Sequence, residues 1–298
     1  RGPGRSPTLW VGTGGGGLAR YQDGVWTRLT PAEGFPDTWV WHLAETSDAE
    51  GRPVIWACTR KGLARLEAGR WRTFTTRDGL PGDEINSVVA WKESSGAWTA
   101  VVSCWGKGLA RWSLNRWVPF GADGSMPSRF FASLAVTRAV QGDASLWAGS
   151  FDEGLFRWDG NAWSHITVAD GLPSNAIYGL YADSSRRPAL WIGTRGGGLA
   201  SLDLAGWRVV DRSLGLPSGD VTAFLEVPTP GGGREILLGT SKGLAGWDGA
   251  RWRPEGPPPE TGIHPHVYAL HQDGQGRLYM GSISGVAVRE RGRWSLLT

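Results

Sequence analysis

This 298-residue sequence predicts an all-β fold, a seven-bladed β-propeller of four-stranded antiparallel blades, and three features carry the prediction. One unit recurs seven times from near the first residue to the last, with a period of about 45 residues, a spacing typical of blade repeats. Each copy breaks into short strands separated by Gly-rich turns. The composition supplies no competing architecture. There is no long Ala/Leu/Glu/Lys stretch of the kind that builds helical bundles, while Gly 46, Pro 18 and Trp 19 are all high.

The copies are plain by inspection. From Leu9 the chain reads LWVGTGGGGLARYQDGVWTRLT, from Leu146 LWAGSFDEGLFRWDGNAWSHIT, and from Leu190 LWIGTRGGGLASLDLAGWRVVD. Weaker copies open at Ile55, Val101, Ile236 and Leu278. Their shared glycine falls at Gly17, Gly62, Gly108, Gly154, Gly198, Gly243 and Gly285. Leu-Trp-Ile-Gly-Thr is a first strand and Gly-Leu-Ala-Arg-Trp a second, joined by a tight loop. Asp23-Gly24, Asp159-Gly160 and Asp248-Gly249 then suit two-residue hairpins, because Asp and Gly tolerate positive φ. A third strand carries a tryptophan at Trp26, Trp71, Trp117, Trp163, Trp207, Trp252 or Trp294. A turn follows, clearest at Asp78-Gly79-Leu80-Pro81 and Asp170-Gly171-Leu172-Pro173, and then a fourth strand such as Ile85 to Trp91. Closure into a ring protects sheet edges better than an open solenoid does.

The prediction is one domain over 1–298, with repeat cores near 9–30, 55–76, 101–120, 146–167, 190–211, 236–253 and 278–298. One count does not close: the strand leading into each copy, the inner strand of a blade, occurs six times. The blade from Leu9 is therefore expected to be three-stranded, or to take its inner strand from outside this sequence.

Composition also excludes classes. Apolar residues at 40% and charged residues at 20% rule out a disordered chain. No apolar run approaches the roughly 18 residues of a membrane-spanning helix, so no direct membrane insertion is expected. Two cysteines make no disulfide framework. A net charge of +3 and a pI of 9.1 fall short of the concentrated basic face of a nucleic-acid binder.

The strings Leu190 to Leu199 and Asp170 to Ile177 resemble the two-component-regulator propeller repeat almost letter for letter. The resemblance covers roughly residues 9 to 298. It implies the sensor region of a hybrid histidine kinase-type regulator, commonly extracytoplasmic (periplasmic), and some members of the family sense oligosaccharides. It therefore implies a non-catalytic module with a small-molecule or oligosaccharide ligand or a protein partner, and is compatible with a homodimer formed through a larger parent protein. The sequence has no kinase motif and no DNA-binding helix pair, so a piece of a regulator is expected.

Residues that recur at one repeat position are first of all scaffold. Fourteen of the 19 tryptophans occupy template positions and are expected to pack between blades. Trp39, Trp41, Trp91, Trp98 and Trp105 fall off the template. Trp91 and Trp98 flank the loop 92–97. Trp39 and Trp41 sit where an inner strand begins, and Trp105 is read as replacing the Thr or Ser that ends the first strand elsewhere. These three are expected near one end of the central channel, as candidate ligand-binding residues. The loops of that end also offer Arg60, Lys107, Arg195, Lys242 and His266, cations and an imidazole suited to an anionic or heavily hydroxylated ligand. Asp83, Asn175 and Asp220 are further polar candidates.

Enzyme readings find little support. His42, His264 and His266 do not make a metal site without more ligands and outer-shell partners. Gly14 to Gly17 follow a strand, but neither a helix nor Gly-Lys-Ser/Thr comes after them. There is no Gly-x-Ser-x-Gly elbow. No catalytic residue, metal or cofactor is expected. The alternatives are a carbohydrate-active enzyme or lectin on the same fold, and a protein-interaction scaffold. Cys58 and Cys104, read as equivalent repeat positions of adjacent blades, are expected to be reduced and buried.

Overall fold

The computed structural model describes residues 8–48, 51–93, 98–121, 128–138, 144–183, 189–203, 206–210, 214–229, 232–247 and 251–297. Among them there is no α-helix. Seven antiparallel sheets follow one another along the chain, the arrangement of a seven-bladed β-propeller. Blade one holds β1 (Leu9–Gly12), β2 (Leu18–Gln22) and β3 (Val25–Leu29). Blade two holds β4 (Val40–Ser47), β5 (Pro53–Thr59), β6 (Gly62–Glu67) and β7 (Arg70–Phe74). Blade three holds β8 (Ile85–Lys92), β9 (Trp98–Cys104), β10 (Gly108–Ser113) and β11 (Arg116–Phe120). Blade four holds β12 (Phe131–Arg138), β13 (Ala144–Ser150), β14 (Leu155–Trp158) and β15 (Trp163–Ile166). Blade five holds β16 (Ile177–Asp183), β17 (Ala189–Thr194), β18 (Leu199–Asp203) and β19 (Gly206–Val210). Blade six holds β20 (Val221–Pro228), β21 (Arg234–Thr240), β22 (Gly243–Trp247) and β23 (Trp252–Pro254). Blade seven holds β24 (Val267–Gln272), β25 (Leu278–Ser282), β26 (Gly285–Glu290) and β27 (Arg293–Leu296).

Every sheet is a meander in sequence order, and the sheet of blade one has three strands among the described residues. The chain forms two compact units, one built on blades one to three and one on blades five to seven, with the fourth sheet contributing to both.

In the first unit the core lies between neighbouring sheets. Val54, Trp56, Cys58, Leu63 and Phe74 of blade two pack with Ile85, Val88, Val102, Cys104, Ala110 and Trp117 of blade three. Leu18 of blade one packs with Val40, Ala57 and Ala64 of blade two. In the second unit Leu199 and Leu216 meet Val221, Leu238 and Trp252, and Leu237 and Leu244 meet Val267, Leu278 and Met280. The glycine at the end of the Leu-Trp-x-Gly string in a copy's first strand makes this packing close. A Cβ on Gly239 would stand 2.7 Å from Val267 Cγ1 of the next blade's inner strand, and one on Gly12 would stand 2.7 Å from Val40 Cγ1.

The turns read from Asp-Gly-Leu-Pro are single 3-10 turns closed at both ends. Thr75 and Asp78 form a capping box around Thr76–Asp78, and Gly79 takes the left-handed conformation at the C-cap. Thr30 with Glu33, and Thr167 with Asp170, repeat the device. Phe35, Leu80 and Leu172 then turn into the core. Asp23 (φ 53°) and Gly24 (φ 81°) make the expected hairpin, whereas Asp159-Gly160 opens a four-residue connection in which the Asp159 carboxylate accepts the Asn161 and Ala162 N–H groups, and 248–250 and the greater part of the loop 92–97 lie outside the described residues.

The ladder corrects two sequence alignments. Cys58 pairs with Leu63, and Cys104 pairs with Gly108. Cys104 therefore matches Thr59, and Ser103 matches Cys58, because the loop of blade three is one residue longer. Both thiols are nonetheless free and buried, as expected, and burial pushes Cys104 up to about 12 and raises Cys58 as well. By the same register Trp105 is the first loop residue, matching Arg60, and Cys104 holds the strand-ending position.

Candidate functional site

The inner strands begin with a shared irregularity. A residue buried to 7% exposure or less opens each of the six: Val40, Ile85, Phe131, Ile177, Val221 and Val267. Right after the anchor the register slips by one in five of these strands, between Val40 and His42, Ile85 and Ser87, Ile177 and Gly179, Val221 and Ala223, and Val267 and Ala269. The extra residues are Trp41, Asn86, Tyr178, Thr222 and Tyr268. A bulge re-aims the side chain it inserts, and bulges concentrate beside binding sites. In these five strands the residues before the anchor are Trp39, Glu84, Ala176, Asp220 and His266. These flanking positions differ from blade to blade, while the anchor between them stays apolar.

In the first unit the flanks of Val40 form the best-defined constellation. The rings of Trp39 and Trp41 lie 5.2 Å apart at 44°, and the Arg60 guanidinium stands 5.0 Å from the Trp39 centroid. Asp37, buried to 2% exposure, grips Arg60 twice, through Nε at 3.1 Å and Nη2 at 3.2 Å, and also accepts the Arg60 backbone N–H. Burial works to raise the Asp37 carboxyl, but the Arg60 guanidinium and the N–H groups of Thr38 and Arg60 outweigh it and hold it below its usual range. Trp39 also lies against Gly14, where a Cβ would stand 3.2 Å from its ring. Trp41 remains 48% exposed. The result is an aromatic surface backed by a pinned, charge-compensated guanidinium.

Trp105, 36% exposed, pairs with Phe130, at 5.1 Å and near right angles. The Lys107 head is exposed and its stem lies over Gly82. In the second unit Arg195 and Lys242 present exposed side chains, and their N–H groups are spent on Ala176 O and Thr240 Oγ1. His266 stacks on Tyr268 at 4.3 Å and donates its backbone N–H to His264 Nδ1. Burial lowers the His266 pKa, helped by His264 and opposed by Asp220. Tyr178 meets Phe151 at 5.8 Å.

The structure thus joins Trp39, Trp41 and Arg60, and gives Trp105 a different partner. Phe130, Phe151, Tyr178 and Tyr268 belong to the same repeat positions and were missed by the sequence reading. Aligning the residues on either side of each anchor would have found three of them. Asp83 and Asn175 are caps: each accepts the first N–H of its 3-10 turn, from Thr76 and Val168. Asp220 is held by Gly196 N–H and Ser241 Oγ. His42 accepts the Val88 N–H at 3.3 Å, linking two inner strands, and burial pushes its pKa down to about 4. Among the described residues no group of three or more His, Cys, Asp or Glu side chains is placed to hold a metal ion, and no helix is long and apolar enough to cross a membrane.

No family model and no curated protein sequence matches the chain. Solved structures do. One described as the extracellular domain of a hybrid two-component system, BT3049 from B. thetaiotaomicron, aligns with a TM-score of 0.74 at 18% identity, over 95% of this chain and 37% of that one. A second, BT4673 from the same organism, aligns with a TM-score of 0.64 at 19% identity, over 85% and 32%. PorZ, a surface component of the type-IX secretion system of Porphyromonas gingivalis, aligns at 0.63 and 14%, over 94% and 44%. The chain spans less than half the length of each. At these identities the likeness is one of fold: this is a seven-bladed β-propeller similar to the extracellular domains of hybrid two-component systems.

Proposed function

We propose that the chain is a non-catalytic sensor propeller of a bacterial signal-transduction protein, acting outside the cytoplasm and binding an oligosaccharide at the aromatic ends of its blades. The observation that carries this reading is the Trp39–Trp41 surface with Arg60 locked to Asp37 beneath it. A sugar ring offers an apolar face that stacks on indole while its hydroxyls seek polar neighbours. Because Asp37 already neutralises Arg60, this surface favours a neutral, hydroxylated ligand over an anion. The likeness to extracellular sensor domains supports the setting.

The test is titration of the folded chain with a panel of neutral oligosaccharides, followed by calorimetry and tryptophan fluorescence. Binding without turnover is expected. Trp41→Ala should weaken it about tenfold, the scale of one lost aromatic contact, and Trp41→Phe much less. Hydrolysis of the sugar, or binding indifferent to Trp41→Ala, would overturn the reading.

A further inference from the structure

A second site lies away from the aromatic ends, between the outer strand of blade two and the last hairpin of blade three. It is a cavity of about 480 Å³ lined by Arg72, Arg77, Asp78, Asn115 and Arg116 over Trp112 and Trp117. Volume in this range suits a small-molecule ligand.

The repeat serves as an internal control for what the fold requires here. Three 3-10 turns share one capping box, and their middle residues are Ala32, Arg77 and Ala169. Alanine suffices for the turn, so Arg77 does something else. Four hairpins between second and third strands have a positive-φ pair with both residues described, and three of them end in glycine, at Gly24, Gly69 and Gly292. The fourth puts Asn115 there at φ 63°, a conformation asparagine tolerates better than most L-residues. The exchange of glycine for asparagine places a side-chain amide at the cavity. Gly79 sets its width: a Cβ there would strike the Trp117 carbonyl, so the turn bearing Arg77 lies hard against β11.

The charges do not cancel. Asp78 is the only carboxylate among the lining residues, and it is engaged by the Thr75 N–H at 2.9 Å and by Arg72 at 3.5 Å. Arg77 and Arg116 have no ion-pair partner among the described residues. Guanidinium forks bind oxyanions through two parallel hydrogen bonds, and Trp112 offers an apolar surface beneath them. We infer that this cavity binds the oxyanion group of a small acidic molecule, with Arg77 and Arg116 as the clamp and Asn115 as a neutral donor beside it. The inference does not depend on the oligosaccharide reading, which concerns other residues.

The probes are citrate and inorganic phosphate, titrated into the folded chain at constant ionic strength and followed by calorimetry. Saturable binding of at least one is expected, citrate-selective for a carboxylate ligand and phosphate-selective for a phosphoryl one. Arg77→Ala and Arg116→Ala should each lower the affinity about tenfold, a charge-assisted hydrogen bond's share. Arg208→Ala, at the repeat position of Arg72 in blade five, should leave it unchanged. Arg77→Lys retains the charge without the fork and should bind more weakly than the wild type but more tightly than Arg77→Ala, a ranking that holds apart loss of the clamp from loss of the fold. Absence of saturable binding by both probes overturns the inference, as does equal loss in Arg77→Ala and Arg208→Ala.

Discussion

Trp117 is buried to 1% exposure between Phe74 and Trp112, and its indole N–H has no acceptor among the described residues. Two opposing effects meet in one side chain. Its area stabilises the packing of blades two and three, while its unpaired N–H costs desolvation energy that nothing returns. Trp117→Ala should cost about 3–5 kcal/mol in chemical denaturation. Trp117→Phe, which removes the orphan donor and keeps most of the ring, should cost far less. A similar loss in both variants would show that the N–H is satisfied in solution. Trp163 looks equivalent in the sequence, yet it is only half-buried beside Phe120 and Trp158, so its truncation should cost less than that of Trp117. Solvent access depends on the neighbouring blade, which a repeat alignment does not contain.

At the scale of the strand, the glycine one residue before the end of a copy's first strand gives a paired test. Gly239 and Gly281 are equivalent, each followed by the residue that closes the hairpin. A Cβ on Gly239 meets Val267 of the next blade, whereas one on Gly281 finds only Ala269 of its own blade at an ordinary 3.5 Å. Gly239→Ala should destabilise by about 1–3 kcal/mol through overpacking. Gly281→Ala should be neutral or mildly stabilising, because alanine narrows the unfolded ensemble. Thermal melts of the two variants decide it, and equal shifts would contradict the packing argument. The strands themselves were legible from the recurring Leu-Trp-x-Gly and Gly-Leu-Ala strings, since hydrophobic alternation and turn residues act locally. The one-residue offset that places Cys104 opposite Gly108 was not, because loop length sets it and equal letters hide it. The aromatic flanks were half legible. Trp39 and Trp41 stand out by type, but Tyr178 and Tyr268 become visible only once the bulge fixes their position.

For the molecule as a whole, these groups predict acid sensitivity in two stages. His42 is neutral in the fold down to about pH 4, while the unfolded chain protonates it near the ordinary value of 6.5. Between those values the unfolded state binds more protons, so stability falls as pH falls, and below about 4 this contribution is gone. Asp37 and Asp273 have depressed pKa values, although burial opposes the shift in both, so their contribution is present above the ordinary carboxylate value and lost as pH falls below it. Melting temperature should therefore drop from pH 6.5 to 4 and drop again as pH falls below the ordinary carboxylate value. His42→Asn, which keeps an acceptor for the Val88 N–H, should flatten the first stage and leave the second. An unchanged first stage in that variant would assign it elsewhere.

The bulge that follows five of the buried anchors also bears on how such a chain diversifies. The triplet around an anchor behaves as a cassette: its middle residue belongs to the scaffold, and its outer two vary in chemistry from blade to blade, although Asp220 and Thr222 of blade six also bind backbone groups of neighbouring segments. Moving Trp39-Val40-Trp41 onto Ala176-Ile177-Tyr178 would transplant an indole pair to another blade while exchanging one β-branched anchor for another. The five bulged inner strands then amount to a set of display positions on a repeated frame, and recognition can change by two residues at a time.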